Sequence, residues 1–193
     1  MSRLRYLKLE ELGEDARRTW AHVTSGRRGS ADELTDAEGG LIGPFNPMLY
    51  SPRIGQRVSE LGEAIRFDAS IDRRLLELGI LTVGAWWRSN FEFFVHASLA
   101  AKEGVPAAVI DALARNEEPR FDAADEELVH RFTTQLLRNG RVDDETYRDT
   151  VALVGEQGAV ELVVLCGYYT LVALLLNAFQ LPVPEGEEST WPI

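Results

Sequence analysis

Residues 71–104 read IDRRLLELGILTVGAWWRSNFEFFVHASLAAKEG, and this stretch decides the fold. Leu75, Leu76, Leu78, Ile80, Leu81, Val83 and Ala85 leave almost no polar face, the pattern of a helix buried on nearly all sides rather than of an amphipathic surface helix. Glu77 is the exception inside it. The periodicity stumbles at Trp87-Arg88-Ser89-Asn90. Ser89 followed by Glu92 has the spacing of a capping box, which predicts a second helix starting there and stopping at Gly104-Val105-Pro106. On that helix Arg88, Glu92 and His96 recur every four residues, stacking a guanidinium, a carboxylate and an imidazole along one stripe. Such a row suits acid–base chemistry, and the free N–H groups of the first turn, beside Ser89 and Glu92, suit a substrate carboxylate. In one continuous helix Glu77 and His96 would lie about 28 Å apart at 1.5 Å per residue, so their cooperation requires the chain to fold back near Ser89.

Working outward, residues 1–25 contain one short helical pattern, with Leu12, Ala16, Trp20 and Val23 at helical spacing. Residues 26–43 are rich in Gly, Ser, Asp and Arg, the composition of a mobile loop long enough to be a lid. Gly43-Pro44-Phe45-Asn46-Pro47 reads as a compact turn in which Asn46 caps Met48-Leu49-Tyr50. Ser51-Pro52 reads as an N-cap and first-position proline opening a helix to about Phe67, with Ile54, Val58, Leu61 and Ile65 on one face. Beyond the central pair, a short helix is expected from Pro106 to about Arg115. Asp122 is then expected to cap a helix carrying Leu128, Phe132 and Leu136 to Gly140, in which His130 lies among Glu126, Glu127 and Arg131. Asp143 or Asp144 opens the next helix, which breaks at Gly155 or Gly158, and Ala159 to Phe179 forms the last long one. No stretch reads as a strand, so the chain is all-α. It divides into an arm and loop (1–40), a main helical domain (41–184) and an acidic tail (185–193) that is loose apart from Trp191.

The 193 residues, 45% hydrophobic and 26% charged, suffice for one substantial core and argue against a disordered or fibrous chain. A net charge of -11 repels nucleic acid and anionic membranes, so neither is an expected partner. Cys166 is the only cysteine, which rules out an internal disulfide, a Cys-rich zinc site and a C-x-x-C pair. The first residues, MSRLRYLKLEELGED, lack the apolar core of a signal peptide, and a cytoplasmic location is expected. The apolar run Leu162 to Leu176 is shorter than the roughly 18–20 residues of a membrane span, and reads as a buried or subunit-interface helix.

Glu77, Ser89, Glu92 and His96 reproduce the spacing of the AhpD-like alkylhydroperoxidase motif, in which a glutamate precedes C-x-x-C and a histidine follows four residues on. Ser89 and Glu92 stand where the cysteines would be. Phe91-Glu92-Phe93, His96, Ala100 and Gly104 more closely resemble the sister branch, the carboxymuconolactone decarboxylase family. Gly43-Pro44-Phe45-Asn46, Ser51-Pro52 and Gly167-Tyr168-Tyr169 to Asn177 also resemble its longer members. The resemblance spans residues 40 to 182. It implies an all-α AhpD-like helical bundle assembling as a trimer or hexamer. The Glu92/His96 pair is too few ligands for a metal site, and no metal or cofactor is expected. The resemblance further implies a lyase or isomerase acting on a small carboxylated lactone, enol or related oxygenated ring. In that reading His96 exchanges a proton, Glu92 orients it, Glu77 tunes or relays the proton, and Arg88 with Ser89 binds the anion. Trp87, Asn46, Tyr50, Tyr169 and Asn177 line the site. Two-cysteine peroxidase chemistry is excluded by inspection. The rival readings are a thiol-less relative with a peroxide- or redox-linked role, and a non-enzymatic oligomer binding a small molecule or protein.

Overall fold

The computed structural model describes residues 2–192. Among them the regular structure is nine α-helices and one 3-10 turn, with no strand beyond an isolated bridge between Thr35 and Leu41. The chain divides into two compact units, Met1–Asp68 with Leu175–Pro182 and Ala69–Leu174 with Val183–Ile193.

The first unit holds α1 (Glu14–Ser25), α2 (Ala31–Leu34), α3 (Phe45–Tyr50) and α4 (Pro52–Asp68). Leu12, Ala16, Val23, Leu41 and Leu49 form its core, with Trp20 packed against them. The segment 26–43 is not the lid-like loop that its composition suggests. Ser30 and Glu33 close a capping box that starts α2. The Asp36 Oδ1 accepts from the backbone N–H groups of Glu38 and Gly40 at 3.0 and 2.8 Å, and Leu41 is buried. Asn46 is not the expected cap either: it lies inside α3. Its side chain accepts from the N–H of Leu7 and donates to the carbonyl of Arg5, each at 3.1 Å, fixing the N-terminal segment.

Pro52 opens α4 as expected, with the N–H groups of Ile54 and Gly55 returning to the Ser51 carbonyl. The face it buries is another one: Gly55, Ser59, Gly62 and Ile65 are inside, whereas Ile54 and Leu61 are 66% and 44% exposed. The cause is close approach to α3. A Cβ at Gly55 would stand 2.3 Å from the Met48 carbonyl oxygen, so the seam admits small residues and turns the large ones outward.

The second unit holds α5 (Arg73–Trp86), α6 (Asn90–Glu103), α7 (Ala107–Ala114), α8 (Ala124–Asn139) and most of α9 (Asp144–Ala178). Asp72 caps α5 by accepting from the N–H of Arg74 at 3.0 Å. Every residue of α5 from Leu75 to Ala85 is buried, with α6, α7 and α8 packed around it. Arg74 bonds Asp125 at 2.6 Å and also Glu126, tying α5 to the start of α8. That helix begins two residues beyond the expected cap Asp122, with Ala123 in the capping position, and ends at Gly140, whose φ of 68° is left-handed.

Asp143 caps α9 through the N–H of Thr146 at 2.7 Å, and Gly155 (φ 74°, ψ 173°) breaks the helix. Beyond the break one side, including Leu162, Leu165, Cys166, Tyr169, Val172 and Ala173, is buried. The other presents Val160, Val163, Leu171 and Leu174 to solvent. Among the described residues α9 is the one helix long and apolar enough to cross a membrane, and half of its most apolar window is buried within the protein. The acidic tail returns to α6 through Trp191, which packs edge-on against Phe93 with centroids 5.0 Å apart. Asn90 bonds the backbone of Trp191 in both directions, at 2.9 and 2.8 Å.

Candidate functional site

The turn between α5 and α6 brings the site together. Trp86 is the last residue of α5 and Arg88 adopts a left-handed φ of 49°. The N–H of Arg88 then bonds the Ala85 carbonyl at 3.0 Å, and that of Ser89 bonds Gly84 at 2.9 Å. This pair of bonds is a Schellman motif, with arginine where glycine is usual. The chain reverses here, and two residues 19 positions apart meet: the His96 Nδ1 lies 2.6 Å from the Glu77 Oε2. Both side chains are buried, Glu77 completely. Arg73, one helical turn before Glu77, places its guanidinium 3.5 Å from the other carboxylate oxygen. Tyr169 of α9 stands edge-on to the imidazole, with centroids 5.1 Å apart.

Glu92 precedes His96 by one turn of α6 and is 2% exposed. The capping box expected from its spacing to Ser89 is not formed: the Ser89 Oγ and both Glu92 carboxyl oxygens are buried without a hydrogen bond. Gly84 on α5 leaves room for this group, since a Cβ there would come within 3.3 Å of the Glu92 Oε1. Burial without a partner pushes the Glu92 carboxyl well above the usual carboxylate range.

The stripe read from the sequence is therefore altered at both ends. Arg88 belongs to the turn and not to α6, and its side chain is exposed. The group that holds the imidazole is Glu77, where the spacing suggests Glu92. The Trp87 indole donates to the Thr170 Oγ1 at 3.1 Å. Asn46 and Tyr50 belong to the first unit, where the Tyr50 hydroxyl donates to the Arg5 carbonyl at 2.8 Å; Asn177 is in that unit too. Among the described residues no group of three or more His, Cys, Asp or Glu side chains is placed to hold a metal ion. Burial pushes the Cys166 thiol up to about 12, leaving essentially no thiolate at neutral pH. Arg73, whose guanidinium faces Glu77, joins this cluster; its i, i+4 spacing to Glu77 is the signal the sequence carries for it.

The fold is AhpD-like. The crystal structure of an alkylhydroperoxidase AhpD core, an uncharacterized peroxidase-related protein from Ralstonia eutropha JMP134, is similar with a TM-score of 0.72 and 14% identity, over 95% of this chain and 93% of that one. No protein-family model matches the sequence, and no curated protein does.

Proposed function

We propose that the chain is a cofactor-independent proton-transfer enzyme, a lyase or isomerase acting on a small carboxylated lactone, enol or related oxygenated ring. The observation that carries this reading is the buried Glu77–His96 pair at 2.6 Å. A carboxylate can only accept, so Glu77 fixes the proton on Nδ1 and leaves the Nε2 lone pair of His96 as the base. Arg73 supports the negative charge on Glu77. Glu92, whose carboxyl is pushed up by burial and makes no hydrogen bond, is the complementary acid. A base and an acid held one helical turn apart are what proton transfer at carbon requires. Loss of carbon dioxide from a carboxylated butenolide leaves the bond pair in a dienolate that the ring carbonyl stabilises, and protonation at carbon completes the reaction. An isomerase would use the two groups in turn, His96 removing a proton and Glu92 returning one.

The second reading, a peroxide- or redox-linked role, draws on the likeness to a peroxidase-related protein. The high Cys166 value weighs against thiol chemistry. Peroxide turnover that survives Cys166→Ser would favour it. A non-enzymatic binding oligomer is the reading left if neither activity is found.

The test is deuterium incorporation or carbon dioxide release on a panel of small carboxylated lactones. His96→Ala should lower kcat by about 10²–10⁴-fold, the usual contribution of a general acid or base. His96→Gln keeps an N–H for Glu77 and preserves folding while removing the base, and should be equally inactive. Near-normal turnover by folded His96→Gln would sink the proposal.

A further inference from the structure

Three buried polar atoms at the start of α6 make no hydrogen bond: the Ser89 Oγ and both carboxyl oxygens of Glu92. Ser89 is 0% exposed and Glu92 2%. Such orphans are uncommon in folded proteins, and their concentration at one helix end points to a polar ligand that they serve. Both residues border Gly84 of α5. The Ser89 N–H bonds the Gly84 carbonyl at 2.9 Å, and a Cβ on Gly84 would stand 3.3 Å from the Glu92 Oε1, so a side chain there would crowd the carboxyl.

The helix end favours negative charge. α6 is 14 residues long, and Ser89 in its capping position makes no side-chain cap. The N–H groups of the first turn therefore lack the acceptor that a capped helix supplies, and the helix dipole places partial positive charge beside them. The Ser89 hydroxyl has an O–H to donate. In its protonated form, which burial favours, Glu92 adds a second one. His96, the proposed base, lies one turn further along α6, a rise of about 6 Å that is comparable to the size of a small lactone ring.

Resting on the proton-transfer reading, we infer that the start of α6 is an oxyanion site, in which the Ser89 hydroxyl and the Glu92 carboxyl hold the carbonyl oxygen of the substrate as it gains charge. When His96 takes a proton from the carbon beside the carbonyl, the C–H bond pair becomes a carbon–carbon double bond and the carbonyl π pair moves onto oxygen. Loss of carbon dioxide sends the C–C bond pair to the same oxygen. The Ser89 O–H donates to that oxygen throughout, and the Glu92 O–H does so until its proton is returned to carbon. Donors fixed where charge develops stabilise the transition state more than the ground state. The substrate class narrows accordingly to lactones and enols whose carbonyl is conjugated with the reacting carbon, since only these place charge on oxygen.

Calorimetric titration of the full chain with tetronic acid, an enol lactone that is an anion near neutral pH, tests this against γ-butyrolactone, which has the ring without the enolate. Tetronate should bind, and the neutral lactone at least about tenfold more weakly. Ser89→Ala should weaken tetronate by a similar factor while its melting temperature without ligand equals or exceeds that of the wild type, because the hydroxyl has no hydrogen bond to lose. On a lactone that is turned over, Ser89→Ala should lower kcat by about 10²–10³-fold. Tetronate binding that depends on Ser89 supports the oxyanion site even where no lactone of the panel reacts. Loss of turnover in His96→Gln, with kcat and tetronate binding unchanged in Ser89→Ala, would overturn the oxyanion site alone and leave the proton-transfer reading standing. A clear fall in the melting temperature of Ser89→Ala would mark a structural hydroxyl and overturn it too, as would absence of tetronate binding to the wild type.

Discussion

Glu92 is buried with neither carboxyl oxygen hydrogen-bonded. Burial raises the pH at which this carboxyl releases its proton in the native protein, while the unfolded chain releases it at the ordinary carboxylate value. Between those two values the unfolded state binds fewer protons, so this residue makes stability fall as the pH rises, by about 1.4 kcal/mol per pH unit. Glu92→Gln removes the titration. Its melting temperature should exceed that of the wild type at pH 7, and the two should converge near about pH 4. Comparing the pair isolates Glu92 from groups of opposite sign such as Asp125, whose carboxyl Arg74 holds low and whose contribution is lost on acidification. A constant difference across the range would contradict the upward shift of the Glu92 carboxyl. The same variant keeps the shape of the acid while removing its proton, so it should also lose turnover if Glu92 is the donor.

At the scale of elements, the reversal between α5 and α6 sets the geometry on which the Glu77–His96 contact depends. Arg88 turns it with a left-handed backbone, a conformation that costs an L-residue about 1–2 kcal/mol and a glycine far less. Arg88→Gly should therefore raise stability by up to about 1 kcal/mol, measured by denaturant midpoint, part of the gain being offset by a more flexible unfolded chain. If Arg88 also binds a substrate carboxylate, the same change raises KM; unchanged KM would confine it to the turn. The second element with an unmet requirement is α9, whose exposed Val160, Val163, Leu171 and Leu174 form an apolar strip. Self-association through it, as a trimer or hexamer, is the expected outcome in light scattering, and Leu171→Glu should dissociate the assembly. A monomer at micromolar concentration would contradict this.

Over the whole molecule, the helices are legible in the sequence because their signals are local. Pro52, Gly104, Gly140 and Gly155 punctuate them, and the polar cluster after Trp87 marks the break that separates α5 from α6. What is not legible is what those helices face. The buried side of α4 is made of Gly55, Ser59 and Gly62, residues that carry no hydrophobic signal, so the eye settles on Ile54 and Leu61 instead. Ser89 and Glu92 have capping-box spacing, but the spacing cannot report that both side chains turn inward. Glu77, Glu92 and His96 stand out in the sequence as polar residues in apolar helices, but the pairing among them is not legible, because only the fold-back shows that Glu77 is the histidine's partner.

The clasp between Asn90 and Trp191 joins positions 101 apart, whereas Glu77 and His96 are separated by 19. Closing a long loop is entropically slow and a short one fast, so the α5–α6 hairpin can assemble early, with the clasp fastening only after the rest has condensed. Contacts absent from the rate-limiting ensemble act on unfolding alone. Asn90→Ala should accelerate unfolding in stopped-flow denaturant jumps and leave the refolding limb unchanged, making the tail a determinant of how long the native state lasts and not of how quickly it forms.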